Sequence, residues 1–225
     1  LGENMKAGRA IFTQPPMPIK CAGAPQKAMY LSGDAWFRRG VLKDIDIQFN
    51  NAGGVLIGVK DYVPALMNYV EKYDAALNFF HNLGAVDGPA IKAWFDVARP
   101  DQPVERIEMA FDMMHVCPPQ TAPDFIRVSP LADPAGWVDV DQANLRHKQF
   151  DNIWALGDVM NAPNAKAAAA ARIQATIVAE NVIADMRGKG PSAQYNGYGS
   201  CPLTVERGKF VLAEFVYVVT ILGCF

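Results

Sequence analysis

The sequence predicts an α/β protein in which a parallel sheet carries an antiparallel β-meander and a hairpin closes the chain. Three observations point there. Strand-like and helix-like periodicities alternate over residues 8–73. Three strand-like runs separated by turn signals follow. A long alanine-rich segment and a second pair of alternating runs come later. Alternation of βαβα type followed by consecutive strands implies a parallel sheet with a meander attached.

GRAIFT (8–13) reads as a short strand. Pro15, Pro16 and Pro18 stop it, because proline cannot donate to a ladder. Pro25 suits the first turn of a helix that runs to about Arg39. Its apolar positions Ala28, Leu31, Ala35 and Trp36 recur at helical spacing. IDIQFN (45–50) is a second strand, NAGG (51–54) a glycine turn, and 61–73 a second helix with Tyr62, Leu66, Tyr69 and Val70 on one face.

LNFFHNLGAV (77–86), AIKAWFDV (90–97) and ERIEMAFDMMHV (105–116) are strand candidates separated by DGP and ARPDQP. Proline-rich, irregular sequence follows Cys117. WVDVD (137–141) and NIWALGD (152–158) read as strands. Residues 165–187 read as a helix of good helix formers stopped by GKGP. The last segment reads as a hairpin turning at Glu206-Arg207-Gly208-Lys209.

Composition narrows the function. Of 225 residues, half are apolar, and the net charge of −2 offers no basic field for nucleic acid. No apolar run reaches the roughly 18 residues that argue for a membrane-spanning helix. The opening LGENMKAGRA has no signal-like apolar core. Without an initial Met and entering a strand early, the chain is expected to be a piece of a longer protein.

The four cysteines, Cys21, Cys117, Cys201 and Cys224, form no C-x-x-C and no zinc spacing. Cys21 stands at a helix start between Lys20 and Lys27, where a thiolate is favoured. Cys201 sits on a Gly-Tyr-Gly-Ser turn. Cys117 reads as structural, and Cys224 receives no role. His81 and His115 read as strand histidines and His147 as a surface turn residue. Trp36, Trp94, Trp137 and Trp154 fit core packing.

ALGD (155–158) ends a predicted strand ahead of a helix. A carboxylate there could accept hydrogen bonds from a ribityl chain, and the helix N-terminus suits an electron-rich cofactor edge. Lys166, placed in the first helical turn, would add a full charge. An N-capping aspartate explains the same letters.

ALGDVMNAPNAKAAAAARIQATIVAENVI resembles the second flavin-binding segment of the two-dinucleotide-fold flavoprotein disulfide reductases. Within that group the chain resembles the sulfide:quinone oxidoreductases of the mitochondrial type and their bacterial relatives. AIFTQPPMPIKCAGAPQKAMYL (10–31), HVCPPQTAPD (115–124), SPLADPAGWVDVDQANLRH (129–147) and YNGYGSCPLTVERGKFVLAEF (195–215) carry the resemblance.

The resemblance implies a glutathione-reductase-like flavoprotein fold, here incomplete. Residues 1–118 would be a partial, degenerate NAD(P)-like Rossmann-type domain. Residues 119–190 would return to the FAD-binding domain, and 191–225 would be the second-cysteine hairpin with an atypical tail. It implies that Cys21 and Cys201 form a redox-active disulfide attacked by sulfide. Electrons pass through FAD to a quinone, and sulfane sulfur goes to a small acceptor. Gly157, Asp158, Lys166 and Ala167 would contact the flavin. The setting implied is a mitochondrial inner membrane or bacterial plasma membrane, with peripheral association.

Departures leave alternatives open. No G-x-G-x-x-G occurs, which agrees with a donor other than NAD(P)H and leaves the first flavin unit unrepresented. The ending VVTILGCF departs from the family pattern. A type II NADH dehydrogenase, a flavocytochrome c sulfide dehydrogenase or a non-catalytic remnant are the competing readings.

Overall fold

A computed structural model describes residues 2–21, 23–164 and 166–217. The chain divides into two compact units. The first comprises 1–119 with 202–211, and the second 120–201 with 212–225.

In the first unit, β1 (Gly8–Gln14), β2 (Ile45–Asn51), β3 (Ala75–Phe79) and β7 (Met113–His115) form a parallel sheet in the order β3-β2-β1-β7. Helix α1 (Ala24–Arg38) connects β1 to β2, and α2 (Val63–Lys72) connects β2 to β3. β4 (His81–Asp87), β5 (Lys92–Val97) and β6 (Glu105–Ala110) form the predicted antiparallel meander.

The pleat of β1 explains the layering. Successive side chains of a strand point to opposite faces. Ile11 packs with Ala93 and Phe95 of the meander, while Phe12 meets Trp36 of α1 with ring centroids 6.3 Å apart. Ala10, Ile11 and Phe12 are fully buried. Burial on both faces is what a central parallel strand requires. Removing a side chain such as Phe12 would cost about 3–5 kcal/mol.

Two predicted strands are each split between sheets. The run 77–86 breaks at Phe80, whose φ of 63° turns the chain between β3 and β4. Phe80 N–H donates to Gly53 O at 3.1 Å, and its carbonyl accepts from Ala98 at 3.0 Å. The run 105–116 breaks at Phe111-Asp112, where Asp112 N–H donates to Arg9 O at 2.9 Å and Asp112 Oδ2 accepts from Arg9 N–H at 2.7 Å. Apolar letters continue through both corners, so periodicity alone hides them.

In the second unit, the predicted strands at 137–141 and 152–158 are not strands. Only isolated bridges form there, including Val138–Met160 and Val140–His147. Side chains compete for the backbone. Asp133 accepts from Ala135 and Trp137, Asp141 from Ala143 and Asn144, and Asn161 from Val140. Such local bonds offer peptide groups an alternative to a ladder.

The core of this unit gathers Trp137, Val138, Val140, Leu145, Met160 and Tyr195. His147 is buried rather than at the surface. Its Nδ1 accepts from Gln149 and Phe150 N–H, so Nε2 donates to Leu131 O at 3.1 Å. Helix α4 (Ala168–Met186) ends as predicted at glycine: Gly188 has φ 70° and Lys189 N–H caps Ala184 O at 3.0 Å. Near the start of the second unit, α3 (Asp124–Arg127) is a single turn within the proline-rich sequence.

β8 (Gly199–Glu206) and β9 (Lys209–Phe215) form the predicted hairpin. Its tip belongs to the first unit. Tyr73 OH donates to Val205 O at 2.8 Å, and Arg207 N–H donates to Asp34 Oδ2 at 3.0 Å. Glu206 accepts from Lys209 at 2.5 Å and from Lys72. These two bonds pull its carboxyl down to about 2.

A depressed folded-state pKa stabilises above the unfolded value and is lost as pH falls. The first unit is therefore expected to lose stability from about pH 4.5 down to about pH 2 through this group. Thermal melts of Glu206→Gln should show a flatter acid limb than the parent. An unchanged limb would remove Glu206 from the acid response.

Candidate functional site

The sheet order reverses about β1, because β2 lies on one side and β7 on the other. In open parallel sheets, ligands bind beyond the carboxyl ends of strands at such a reversal. The chain places two cysteines there. Cys21 follows β1 in the loop to α1, and Cys117 follows β7 directly.

Cys21 has φ 60° in the left-handed region, a conformation that costs on the order of 1–3 kcal/mol for a non-glycine residue. Its carbonyl accepts from Ala24 N–H at 2.8 Å, which starts the turn into α1. The N-cap of α1 is Gly23, without a side-chain cap. Lys27 Nζ donates to Cys21 Sγ at 3.5 Å. A cation and a helix N-terminus beside a sulfur are the surroundings that stabilise a thiolate. Sequence placed Cys21 between two lysines; Lys27 is the one whose bond to the sulfur is seen.

Cys117 is half-buried, and its N–H donates to Thr13 Oγ1 at 3.1 Å. Burial pushes its thiol pKa up, and charge on Cys21 adds to the shift. It lines a cavity of about 240 Å³ with Thr13, Gln14, Pro118 and residues 82–86. Gln14 is buried and its Oε1 has no hydrogen-bond partner. Asn50, beside Thr13 in the neighbouring strand, is fully buried with neither amide atom bonded. Unsatisfied buried polar groups are rare in folded proteins and point to a missing partner. Sequence reasoning missed Gln14 and Asn50; their place at the ends of β1 and β2 was the available signal.

In the second unit, Gly157 and Asp158 lie in a short 3-10 turn (Gly157–Val159) instead of at a strand end. Gly157 has φ 74°, which glycine permits, and its N–H donates to Gln174 Oε1 at 2.7 Å. Asp158 is exposed. Ala167 is the N-cap of α4 and offers no side-chain cap. Lys166 therefore precedes the helix and is not in its first turn. It is buried, donates to Met160 O, and holds its ammonium 4.6 Å from the centre of the Trp137 ring.

The exposed carboxylate and the small residues at a helix start lacking a side-chain cap give room and first-turn N–H donors for a polar, electron-rich group. These features fit a flavin edge. They fit an N-cap reading less well, since Asp158 lies well ahead of the helix and caps nothing in it.

Cys201 is buried within β8, so it lies on a strand and not on the turn that sequence suggested. The turn precedes it: Gly197, at φ 84°, leaves room for the ring of Tyr217, which a Cβ would meet at 2.3 Å. Tyr198 OH donates to Glu214 Oε1 at 2.6 Å. His81 and His115 lie on β4 and β7 as expected. Trp36 and Trp137 are buried, and Trp94 and Trp154 are half-buried. Cys224 lies outside the described residues.

Comparison with known proteins decides the kinship. No protein-family model matches the chain. The mouse protein "Sulfide:quinone oxidoreductase, mitochondrial" is 43% identical over 216 residues, covering 96% of this chain and 47% of the mouse protein. The chain resembles a sulfide:quinone oxidoreductase over nearly its whole length. It spans about half the length of the curated relatives it matches.

Solved structures carry the fold. The sulfide:quinone oxidoreductase of Aquifex aeolicus superposes with a TM-score of 0.70 at 12% identity, covering 92% of this chain and 53% of that one. A chain from the Tetrahymena thermophila mitochondrial ATP synthase superposes with a TM-score of 0.80 at 22% identity, covering 97% and 53%. The α/β fold is thus shared with the oxidoreductase and, more distantly, with disulfide-reductase-type flavoproteins.

The Lys27 contact makes a direct prediction. Lys27→Met should slow alkylation of Cys21 by iodoacetamide at neutral pH several-fold, because the cation beside the sulfur favours the reactive thiolate. Peptide-resolved alkylation rates would check it, and an unchanged rate at Cys21 would remove Lys27 from its activation.

Proposed function

We propose that this chain supplies the sulfur-handling half of a sulfide:quinone oxidoreductase. The observation that carries the reading is Cys21 itself. A thiol in a strained turn, bonded to Lys27, stands at the carboxyl edge of a parallel sheet in a chain 43% identical to an enzyme of that name.

In this reading Cys21 and Cys201 alternate between a disulfide and a reduced pair. Hydrosulfide attacks one sulfur of the disulfide, a new S–S bond forms, and the old one breaks. One cysteine becomes a persulfide and the other a thiolate. Lys27 stabilises the negative charge left on Cys21, which makes Cys21 the better leaving group and Cys201 the persulfide carrier. A small nucleophile then takes the outer sulfur.

Gly157, Asp158, Lys166 and Ala167 are the residues that would hold FAD, which supplies a two-electron acceptor able to pass its electrons to a quinone. Asp158 would accept hydrogen bonds from hydroxyls, and the open N–H groups at the start of α4 would face an electron-rich edge. Lys166 would act through its helix-start position, anchored by Met160 O and the Trp137 face.

Peripheral attachment to the mitochondrial inner membrane accompanies the reading, supported by relatives named as mitochondrial. Among the described residues, no helix is long and apolar enough to cross a membrane.

The test uses the protein extended to the length of its relatives. Cys21→Ser and Cys201→Ser should each lower sulfide-dependent quinone reduction by about a thousandfold or more, as loss of a covalent-catalysis group does. Near-parental turnover in either variant would contradict the assignment of that cysteine.

A further inference from the structure

The tip of the β8–β9 hairpin is fastened by charged and polar groups. Glu206 accepts from Lys209 at 2.5 Å and from Lys72. The Lys72 ammonium also lies 5.2 Å from the centre of the Phe37 ring, 5.5 Å from Tyr69 and 5.3 Å from Tyr73. Asp34 of α1 accepts the Arg207 N–H at 3.0 Å and pairs with Arg38 at 3.0 Å. Tyr73 OH donates to Val205 O at 2.8 Å. Asp34 and Glu206 are both buried. Withdrawing two carboxylates from water costs free energy that a well-packed apolar contact avoids, and fixing register is the best-attested use of such groups.

Register matters on β8 because the same strand carries Cys201, four residues before Val205. Cys201, Leu203 and Val205 are buried and Pro202 is exposed, so the apolar face repeats every two residues. β8 ends at Glu206 and β9 starts at Lys209, so the hairpin slides only as one body. A slide of two residues keeps the same face turned inward. It would carry Cys201 about 6.6 Å along the strand, well beyond the tolerance of roughly 2 Å in Cα separation that a disulfide allows. Apolar burial does not oppose that slide. The bonds at Val205, Glu206 and Arg207 do, because each is specific to one residue.

We propose that Asp34, Lys72, Tyr73 and Glu206 form a register lock on β8 whose task is to place the Cys201 sulfur for its bond with Cys21. They are positioning residues and act through the strand. The inference rests on the reading of Cys201 as the partner of Cys21 and adds what holds that partner in place. Helix α1 starts in the turn that the Cys21 carbonyl closes and reaches Asp34 about 15 Å further on. Strand β8 covers about 17 Å between Cys201 and Glu206. A rigid helix and a strand of nearly equal reach, tied together at the lock, suit a device that sets two sulfurs level.

The experiment uses the flavin-loaded protein extended to the length of its relatives. It is equilibrated without oxygen in mixtures of reduced and oxidised dithiothreitol, acid-quenched and mapped by peptide mass. Closing the Cys21–Cys201 bond oxidises two thiols and reduces one cyclic dithiothreitol disulfide to the dithiol, so the linked fraction gives the equilibrium constant. Measurements are made well below each variant's own melting midpoint, so that loss of global stability does not enter.

Glu206→Gln and Lys72→Met should each lower that constant at least about tenfold, the scale of a small misplacement of reacting groups. The double variant should lose no more than the stronger single one, because the two residues act as one contact. The rate at which iodoacetamide alkylates reduced Cys21 should stay at the parental value. If Glu206→Gln fails to fold, Tyr73→Phe, which removes only the hydroxyl bonded to Val205, should still lower the constant several-fold.

A parental constant in the lock variants would make these contacts plain stabilisers and overturn the proposal. Losses that add in the double variant, or that arrive with an altered Cys21 rate, would overturn it too. A parent protein with no linked Cys21–Cys201 peptide at any ratio would end the sulfide reading and the lock with it. A parent that links, beside variants that link equally well, ends the lock alone.

Discussion

Strand β1 is paired on both edges and covered on both faces, and the first unit is organised by that double burial. Its residues can only be apolar where the helices and meander press on it, so Ala10, Ile11 and Phe12 carry no chemistry. Chemistry is pushed to the strand's carboxyl end, where the sheet order reverses and the backbone leaves the ladder. Thr13 and Gln14 turn polar at that point, and the proline-broken loop beyond them carries Cys21. The left-handed turn at Cys21 costs on the order of 1–3 kcal/mol, and it is held by the bond to Ala24 and the contact with Lys27.

The second unit solves a different problem. It has little ladder, so aspartate and asparagine side chains satisfy its peptide groups one at a time. Asn181 alone accepts from Ser192 and Ala193 and donates to Asn144 and Ala193 carbonyls, fixing the segment that leads toward β8. The tyrosines continue the arrangement: Tyr195 OH donates to Tyr198 O at 2.6 Å, and Tyr217 OH to Gln142 O at 2.8 Å. A buried Lys166 is tolerated because its ammonium keeps a carbonyl and an aromatic face.

What was legible in the sequence follows from these two modes. Strands with burial patterns, the helix opened by Pro25, the glycine stop at Gly188 and the hairpin turn at Gly208 read directly, because each is a local signal. The corners at Phe80 and Asp112 did not, since tertiary bonds to Gly53 and Arg9 define them. Residues 137–141 and 152–158 looked like strands because Val, Trp and Ile recur there, while the deciding Asx bonds depend on the fold. Cys21 was legible from its flanking lysine and helix start. Cys201 was placed on a turn because Gly-Tyr-Gly-Ser precedes it, although the strand begins at Gly199.

The central claim is that Cys21 and Cys201 act on sulfide as one redox pair. Its most direct test is an anaerobic titration of the flavin-loaded, extended protein with sulfide, followed by flavin absorbance. The account predicts bleaching in the parent protein at about one sulfide per flavin, the stoichiometry of a two-electron donor, and its loss in both Cys21→Ser and Cys201→Ser. Bleaching of equal rate and extent in both variants would make the two cysteines structural, and the sulfide chemistry assigned to them would be wrong.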